Sequence, residues 1–520
     1  MLKLLYAGVS SACFELVGQN PYFSPAPYTI LLNGKPARKG DTNVFSLFDL
    51  APDTRYMLAL RLPDGEERLE FTTARETCVF SVRDFGAVGD GLADDTDAVA
   101  CAIRFLPDGG RLYFPPGRYL TRPQALKSHS TIELAEGAVL LGSPERERYP
   151  ILPGAVRDAR TGEERVFGTF EGLVQPMYMA LLTAQYAEDI AVVGPGAVDG
   201  NAAAGGFWTG YRDFPAARPR LLFFNHCRNV RLHGIQVRNS PSWQIHPYLC
   251  EDVGLYDVSV SAPKESPNTD AVDPESCTGV EILGCRFSVG DDCIAIKSGK
   301  LDPARETPRP AQAHTIRNCL MQYGHGAVTL GSETAGGVRE LTVSQCLFRE
   351  TDRGLRIKTR RGRGEGCEID GITFENIRME GVLTPIVINM WYNCVDPDRE
   401  SEYVWTRRAL PVDARTPHLG SFVFRDLDCT DASVAACSID GLPERPVDAV
   451  RFENVHISFA GNAAPGIPAM RNFAEPVCRM GLYFENVGEV ALKNVRLEGV
   501  QGEALIAKHC GRVDAPGFMK

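Results

Sequence analysis

The sequence predicts an all-β chain, in which a small antiparallel sandwich precedes a long β solenoid. Three observations carry this. From about residue 180, strand-like segments with period-two alternation recur at intervals of roughly 23 to 35 residues, about one coil of a repeating β structure. Gly (50) and Pro (35) are frequent, as many turns require. The first 76 residues keep a different rhythm of short strands and tight turns.

Residues 1–76 are expected to form the sandwich. Strand-like runs at Leu2–Ala7, Ala12–Val17, Tyr28–Leu32, Val44–Phe48, Tyr56–Leu62 and Arg68–Thr73 are separated by turns such as Asn33-Gly34 and Pro63-Asp64-Gly65. The segment Leu50–Tyr56 resembles the tyrosine corner of fibronectin type III domains, where a Tyr hydroxyl ties back to upstream backbone. A plain β cap is the alternative. Either way the expected role is positional, without catalytic residues.

Residues 77–520 are expected to form the solenoid. Asp94-Asp95-Thr96-Asp97 leads into a helix at Ala98–Phe105, and the acidic residues are expected to cap it. Their spacing is not that of a calcium-binding EF-hand loop. Repeat strands follow at Val230–Val237, Val253–Val260, Val280–Phe287, Thr315–Met321, Leu341–Phe348, Ile372–Met379, Phe422–Leu427, Val450–Ile457 and Val490–Leu497. Most carry Asn, Cys or Asp between two apolar stretches. Wider gaps before 422 and 490 imply inserted loops. Pro144–Thr169, Ala202–Pro219 and Asp396–His418 are expected to wall a cleft.

Composition narrows the function classes. With 44% hydrophobic and 23% charged residues, the chain can bury a large core. A net charge of −11 argues against a nucleic-acid partner. The 16 cysteines include no pair at metal-binding spacing and read as buried reduced thiols. Met1–Leu16 has no secretory signal, and no apolar run approaches the ~20 residues that span a membrane. A cytoplasmic protein without membrane association or cofactor is expected.

Four polar signatures fall at strand ends on successive coils: Asn268-Thr269-Asp270, Gly290-Asp291-Asp292, Gly324-His325-Gly326 and Arg356-Ile357-Lys358. Stacked coils would bring three carboxylates, a histidine and two cations to one face. Cleaving a glycosidic bond takes a protonated acid for the leaving oxygen and a carboxylate that activates water or attacks. Clustered carboxylates raise at least one pKa. Neighbours on a regular strand face opposite ways, so Asp291 and Asp292 need a turn or bulge at Gly290 to share a cleft. Arg356 and Lys358, two apart on a strand, share a face and can hold the carboxylate of a uronic acid. Trp208, Tyr211, Trp391, Tyr392 and Trp405 are candidates to stack on sugar rings.

These four signatures, in this order, resemble those of glycoside hydrolase family 28, the polygalacturonase family, over roughly residues 80 to 500. Gly109–Tyr119 is similar to the opening of pectin-degrading right-handed parallel β-helix proteins, where a short helix plugs the first turn. The resemblance implies that α-1,4-galacturonosyl bonds of a pectic oligo- or polysaccharide are hydrolysed with inversion and without metal. Carried over by position, Asp291 matches the general acid, Asp270 and Asp292 the water-activating pair, and His325 the histidine beside the acid. Arg356 and Lys358 match the substrate-carboxylate contacts. Lys297, in Asp292–Gly299, is a third cation for such a substrate. Trp243-Gln244-Ile245-His246-Pro247 and Gly331-Ser332-Glu333 are similar to bacterial exo-acting members, as is an N-terminal fibronectin-like domain. Trp243, His246, Asn268 and Glu333 therefore join the expected substrate contacts, and exo action from the non-reducing end is expected. A calcium-dependent pectate lyase and a non-catalytic glycan-binding β-helix are the rival readings.

Overall fold

Successive coils of the chain stack in parallel and in register, so that one position recurs up the whole core. In the computed structural model, which describes residues 1–302, 305, 308–393 and 401–520, Val230, Val253, Val280, His314, Leu341, Ile372, Phe422, Val450 and Val490 pair coil on coil. A second inward row includes Phe374, Phe424 and Phe452, whose ring centroids lie 6.1 and 5.0 Å apart. Like-on-like stacking lets each coil bury its apolar face on the next. The Asn and Asp residues between apolar stretches take left-handed backbone at the corners, as at Asn318 (φ 55°), Asn376 (52°), Asn454 (54°) and Asn494 (53°). These residue types tolerate that conformation best after glycine.

Most of the described cysteines are buried as expected, but Cys101 is exposed and Cys78, Cys478 and Cys510 are half-buried. Cys250, Cys277, Cys285, Cys319 and Cys346 are buried free thiols in the core. Burial pushes the Cys250 and Cys319 thiols well above their usual range. No helix among the described residues is long and apolar enough to cross a membrane.

The helix Thr96–Phe105 turns Val99, Ala102 and Ile103 onto the open end of the core. The capping expectation is corrected in part. Asp95 occupies the N-cap position without capping. Its carboxylate instead accepts hydrogen bonds from Val88 N (2.6 Å) and Gly89 N (2.9 Å), tying the preceding loop to the helix start.

Residues 2–72 form a three-stranded and a four-stranded antiparallel sheet around Phe14, Tyr28, Phe45, Leu58, Leu60 and Phe71. Tyr56 Oη accepts a 2.8 Å hydrogen bond from Ala51 N. The strand Lys35–Thr42 was not expected. It pairs with Phe23–Leu32 but is exposed along most of its length, so it lacks the apolar alternation that marks a strand. This unit docks on the coils through buried polar contacts. Glu15 accepts hydrogen bonds from Arg317 Nε (2.7 Å), Arg317 Nη2 (2.8 Å) and Asn318 Nδ2 (2.7 Å), and Ser46 donates to Asp257 at 2.7 Å.

Candidate active site

The register delivers the four signatures to one place. Ile245, Val272, Ile294, Val328 and Leu355 pair in sequence across five coils. Asp270, Asp291-Asp292 and His325 each stand just before one of these positions, while Arg356 and Lys358 lie on the strand Arg353–Lys358. Carboxylate oxygens of Asp270, Asp291 and Asp292 come within 4.8 Å of one another. A cavity of about 500 Å³ opens over Asp270 and Asp291, lined also by Trp243, Lys297, His325, Glu333, Arg356 and Lys358, with Asp292 buried behind it.

The three carboxylates sit in different fields. Burial alone would raise Asp292, but Lys358 Nζ at 2.8 Å and Arg356 Nη1 at 3.0 Å outweigh it and hold Asp292 well below the usual carboxylate range. Burial pushes Asp270 well up, with Asp273 and Asp291 adding like-charge repulsion. Asp270 Oδ1 has no hydrogen-bond partner among the described residues. Asp291 is reached from the cavity, and its Oδ1 lies 3.3 Å from His325 Nδ1. That hydrogen bond raises the imidazole pKa against the opposing effect of burial. The geometry could also gather a cation, though Arg356 and Lys358 already neutralise Asp292.

Glycines make the crowding feasible. A Cβ on Gly326 would stand 2.3 Å from Thr329 Oγ1 and 2.8 Å from Asp292 Oδ1. At Gly290 the requirement is also space, since a Cβ would meet Ser266 O at 2.5 Å.

Lys297 is the hub of a second layer. Its Nζ lies 3.4 Å from Asp273 and from Glu333, 4.0 Å from Asp270, and 4.5 Å from the Trp243 ring centroid. Burial raises Asp273 to about 8. Burial would raise Glu333 too, but Lys297 and Lys300 bring it down to about 2. Asn268 lines the cavity, and its Oδ1 accepts a 2.6 Å hydrogen bond from Arg218 Nη2.

His246 requires correction. It is fully buried and does not line the cavity. Its Nε2 lies 3.1 Å from Glu275, Arg220 lies against its Nδ1, and burial holds it well below its ordinary pKa. The strand Ile245–Tyr248 thus spends His246 on supporting Trp243 and Glu275, not on a ligand.

The cleft walls differ from expectation in detail. One wall is the hairpin of Thr169–Phe170 and Leu173–Val174, which starts at the last residue of the expected Pro144–Thr169 and runs beyond it. Phe170 stacks on Trp243 at 5.9 Å and 17°, and Lys300 N donates to Gly172 O at 3.0 Å. In Ala202–Pro219, Trp208 donates to Ser240 O and packs in a separate cluster, while the Tyr211 ring lies 3.7 Å from the Arg218 guanidinium. Residues 396–400 of Asp396–His418 lie outside the described residues. Trp391 is buried, with Arg361 and Arg407 over its ring, whereas Tyr392 lines the cavity. Met470, on the opposite rim, had no sequence signal beyond a long gap between repeats. Asp273 had only its nearness to Asp270.

The sequence profile described as glycosyl hydrolases family 28 matches residues 175–478, and one described as rhamnogalacturonase A/epimerase, pectate lyase-like, matches 79–157. A probable polygalacturonase of Vitis vinifera is 30% identical over 404 residues, 74% of this chain and 75% of that protein. A hyperthermoactive exopolygalacturonase of Thermotoga maritima superposes with a TM-score of 0.65 at 27% identity, covering 82% of this chain and 93% of that one. The family 28 exopolygalacturonase of Yersinia enterocolitica covers 98% of both chains with a TM-score of 0.73, a likeness of fold at 19% identity.

Proposed function

The chain belongs to glycosyl hydrolases family 28, and from that membership we propose that it hydrolyses α-1,4-galacturonosyl bonds of pectic chains, one sugar at a time from the non-reducing end. The single observation that carries the chemistry is the set of three carboxylates within 4.8 Å, one held well below the usual carboxylate range and one pushed well above it. Hydrolysis needs one of each.

Asp291, open to the cavity and beside His325, is the general acid; Asp270 and Asp292 position the attacking water. Carboxylate oxygens of Asp270 and Asp291 lie within 4.8 Å of one another, so the proton that burial favours on Asp270 is within reach of Asp291. Inverting hydrolases ordinarily space acid and base by about 6.5–9.5 Å; here the water is proposed to sit against the trio instead of between distant partners. A substrate carboxylate competes with Asp292 for Arg356 and Lys358. Drawing these cations away leaves Asp292 a stronger base at the moment the sugar is seated.

Exo action is supported by the wall at Gly172. The hairpin carrying Gly172, which accepts a 3.0 Å hydrogen bond from Lys300 N, stands at the Trp243 end of the cleft and is proposed to limit the sugars bound on that side. The Thermotoga maritima exopolygalacturonase, 27% identical, points the same way.

Digestion of defined galacturonic acid oligomers, followed by chromatography, is expected to release single galacturonate units from the first time points, with no product absorbing in the ultraviolet and no dependence on chelator. Unsaturated, calcium-dependent products would establish a lyase. Tight oligomer binding with no new reducing ends would establish a glycan-binding protein.

A further inference from the structure

Residues 466–477 form a loop closed by Gly466 and Val477, whose backbones exchange hydrogen bonds of 2.9 and 2.8 Å. The near limb is pinned to the coils at several points. Arg353 Nη2 donates to Ile467 O at 2.7 Å, Asn389 Nδ2 to Met470 O at 2.8 Å, and Asn393 N to the same carbonyl at 3.1 Å. Arg471 Nη1 lies 3.1 Å from the buried Asp440. A segment so tethered holds its tip in a set position.

The tip is apolar. Ile467 is 43%, Met470 45% and Phe473 82% exposed. Phe473 also has a φ of 58°, a left-handed conformation unfavourable to an aromatic residue. Trp405 meets it edge-on, with ring centroids 5.6 Å apart and an interplanar angle of 87°. The patch is continuous with the active site, because Met470 rims the cavity and its sulfur lies 2.9 Å from Arg356 Nη2.

Nothing in the core accounts for a solvent-facing aromatic ring held in an unfavourable backbone conformation. A pyranose ring does. Its C–H face packs on an aromatic face without needing a charge. On the exo reading, with the Gly172 hairpin limiting the Trp243 end of the cleft, the uncleaved part of a longer chain leaves by the Met470 rim. We propose that Phe473, backed by Trp405, is a binding platform for a distal sugar of that remainder and sets a preference for longer substrates. The proposal rests on the hydrolase reading above.

The test compares the full chain and Phe473→Ala on the galacturonic acid dimer and hexamer. The kcat/KM for the hexamer is expected to fall about 5- to 20-fold, the loss of one stacked ring, while the dimer changes less than about twofold. Phe473→Trp is expected to keep the hexamer rate. An equal fall on both substrates, or an unchanged hexamer rate, would overturn the platform; the second result is also what a docking site for another protein would give. If the wild-type chain cleaves neither oligomer, the hydrolase reading itself has failed, a result separable from failure of the platform.

Discussion

Asp291 and Asp292 are sequence neighbours with opposite surroundings, and the difference lies in which partners the next coils supply. Asp292 receives Arg356 and Lys358 from two coils further on, whereas Asp291 receives His325 from the next. In the proposed mechanism the half-buried member, Asp291, does the proton transfer. Asp291→Asn should therefore lower kcat by about 10² to 10⁴. Reducing-sugar release measures the rate, and a thermal melt checks that the variant is folded, since Asn can still accept the Asp292 N bond. Activity above about a tenth of wild type would remove Asp291 from the acid role. The residue types of this site were legible from the sequence, because their chemistry is local. The Asp273–Lys297–Glu333 layer was legible only in part. Lys297 and Glu333 stood inside noticeable motifs, but nothing along the chain says that Asp273 faces the same ammonium.

The repeat strands were readable because each coil must bury the same face on its neighbour, which prints a period-two pattern every coil. The cleft walls were not, because an inserted hairpin needs no periodicity. The hairpin of Thr169–Phe170 and Leu173–Val174 shows this. Its placement depends on Phe170 finding Trp243 and Gly172 finding Lys300, contacts between elements far apart in sequence. Gly172 has a φ of +77°, and a Cβ there would lie 2.8 Å from Glu333 Cγ and 2.9 Å from Lys300 N. Gly172→Val should displace the hairpin and open that end of the cleft. The expected result is a fall in kcat/KM of about tenfold or more on short oligomers, with products longer than one sugar appearing on chromatograms. An unchanged rate and product pattern would show that this hairpin does not set exo action.

The N-terminal unit and the coils share an interface built from buried polar groups. His233 belongs to the coils, yet its ring bridges Ser11 (3.1 Å) and Ser46 (2.9 Å) of the sandwich, with Tyr6 and Phe48 against it. Burial holds it at about 3, so it is neutral in the folded protein. The unfolded chain takes up that proton near pH 6.5, and the folded one does not until about pH 3. Stability from this group is therefore complete above pH 6.5 and is lost as pH falls towards 3, at about 1.4 kcal/mol per pH unit. Denaturant unfolding at pH 6.5 and 4.5 should show His233→Gln losing less stability than wild type over that span. Equal losses would place the acid sensitivity elsewhere.

The sequence by itself determined the all-β class, the coil period and the identity of the candidate site residues, because each of these is written in local composition and spacing. Only the tertiary structure decided which carboxylate is neutralised, which histidine is buried, and where the hairpin walls the cleft. Those outcomes depend on burial and on charges delivered from other coils, and neither quantity exists until the coils are stacked.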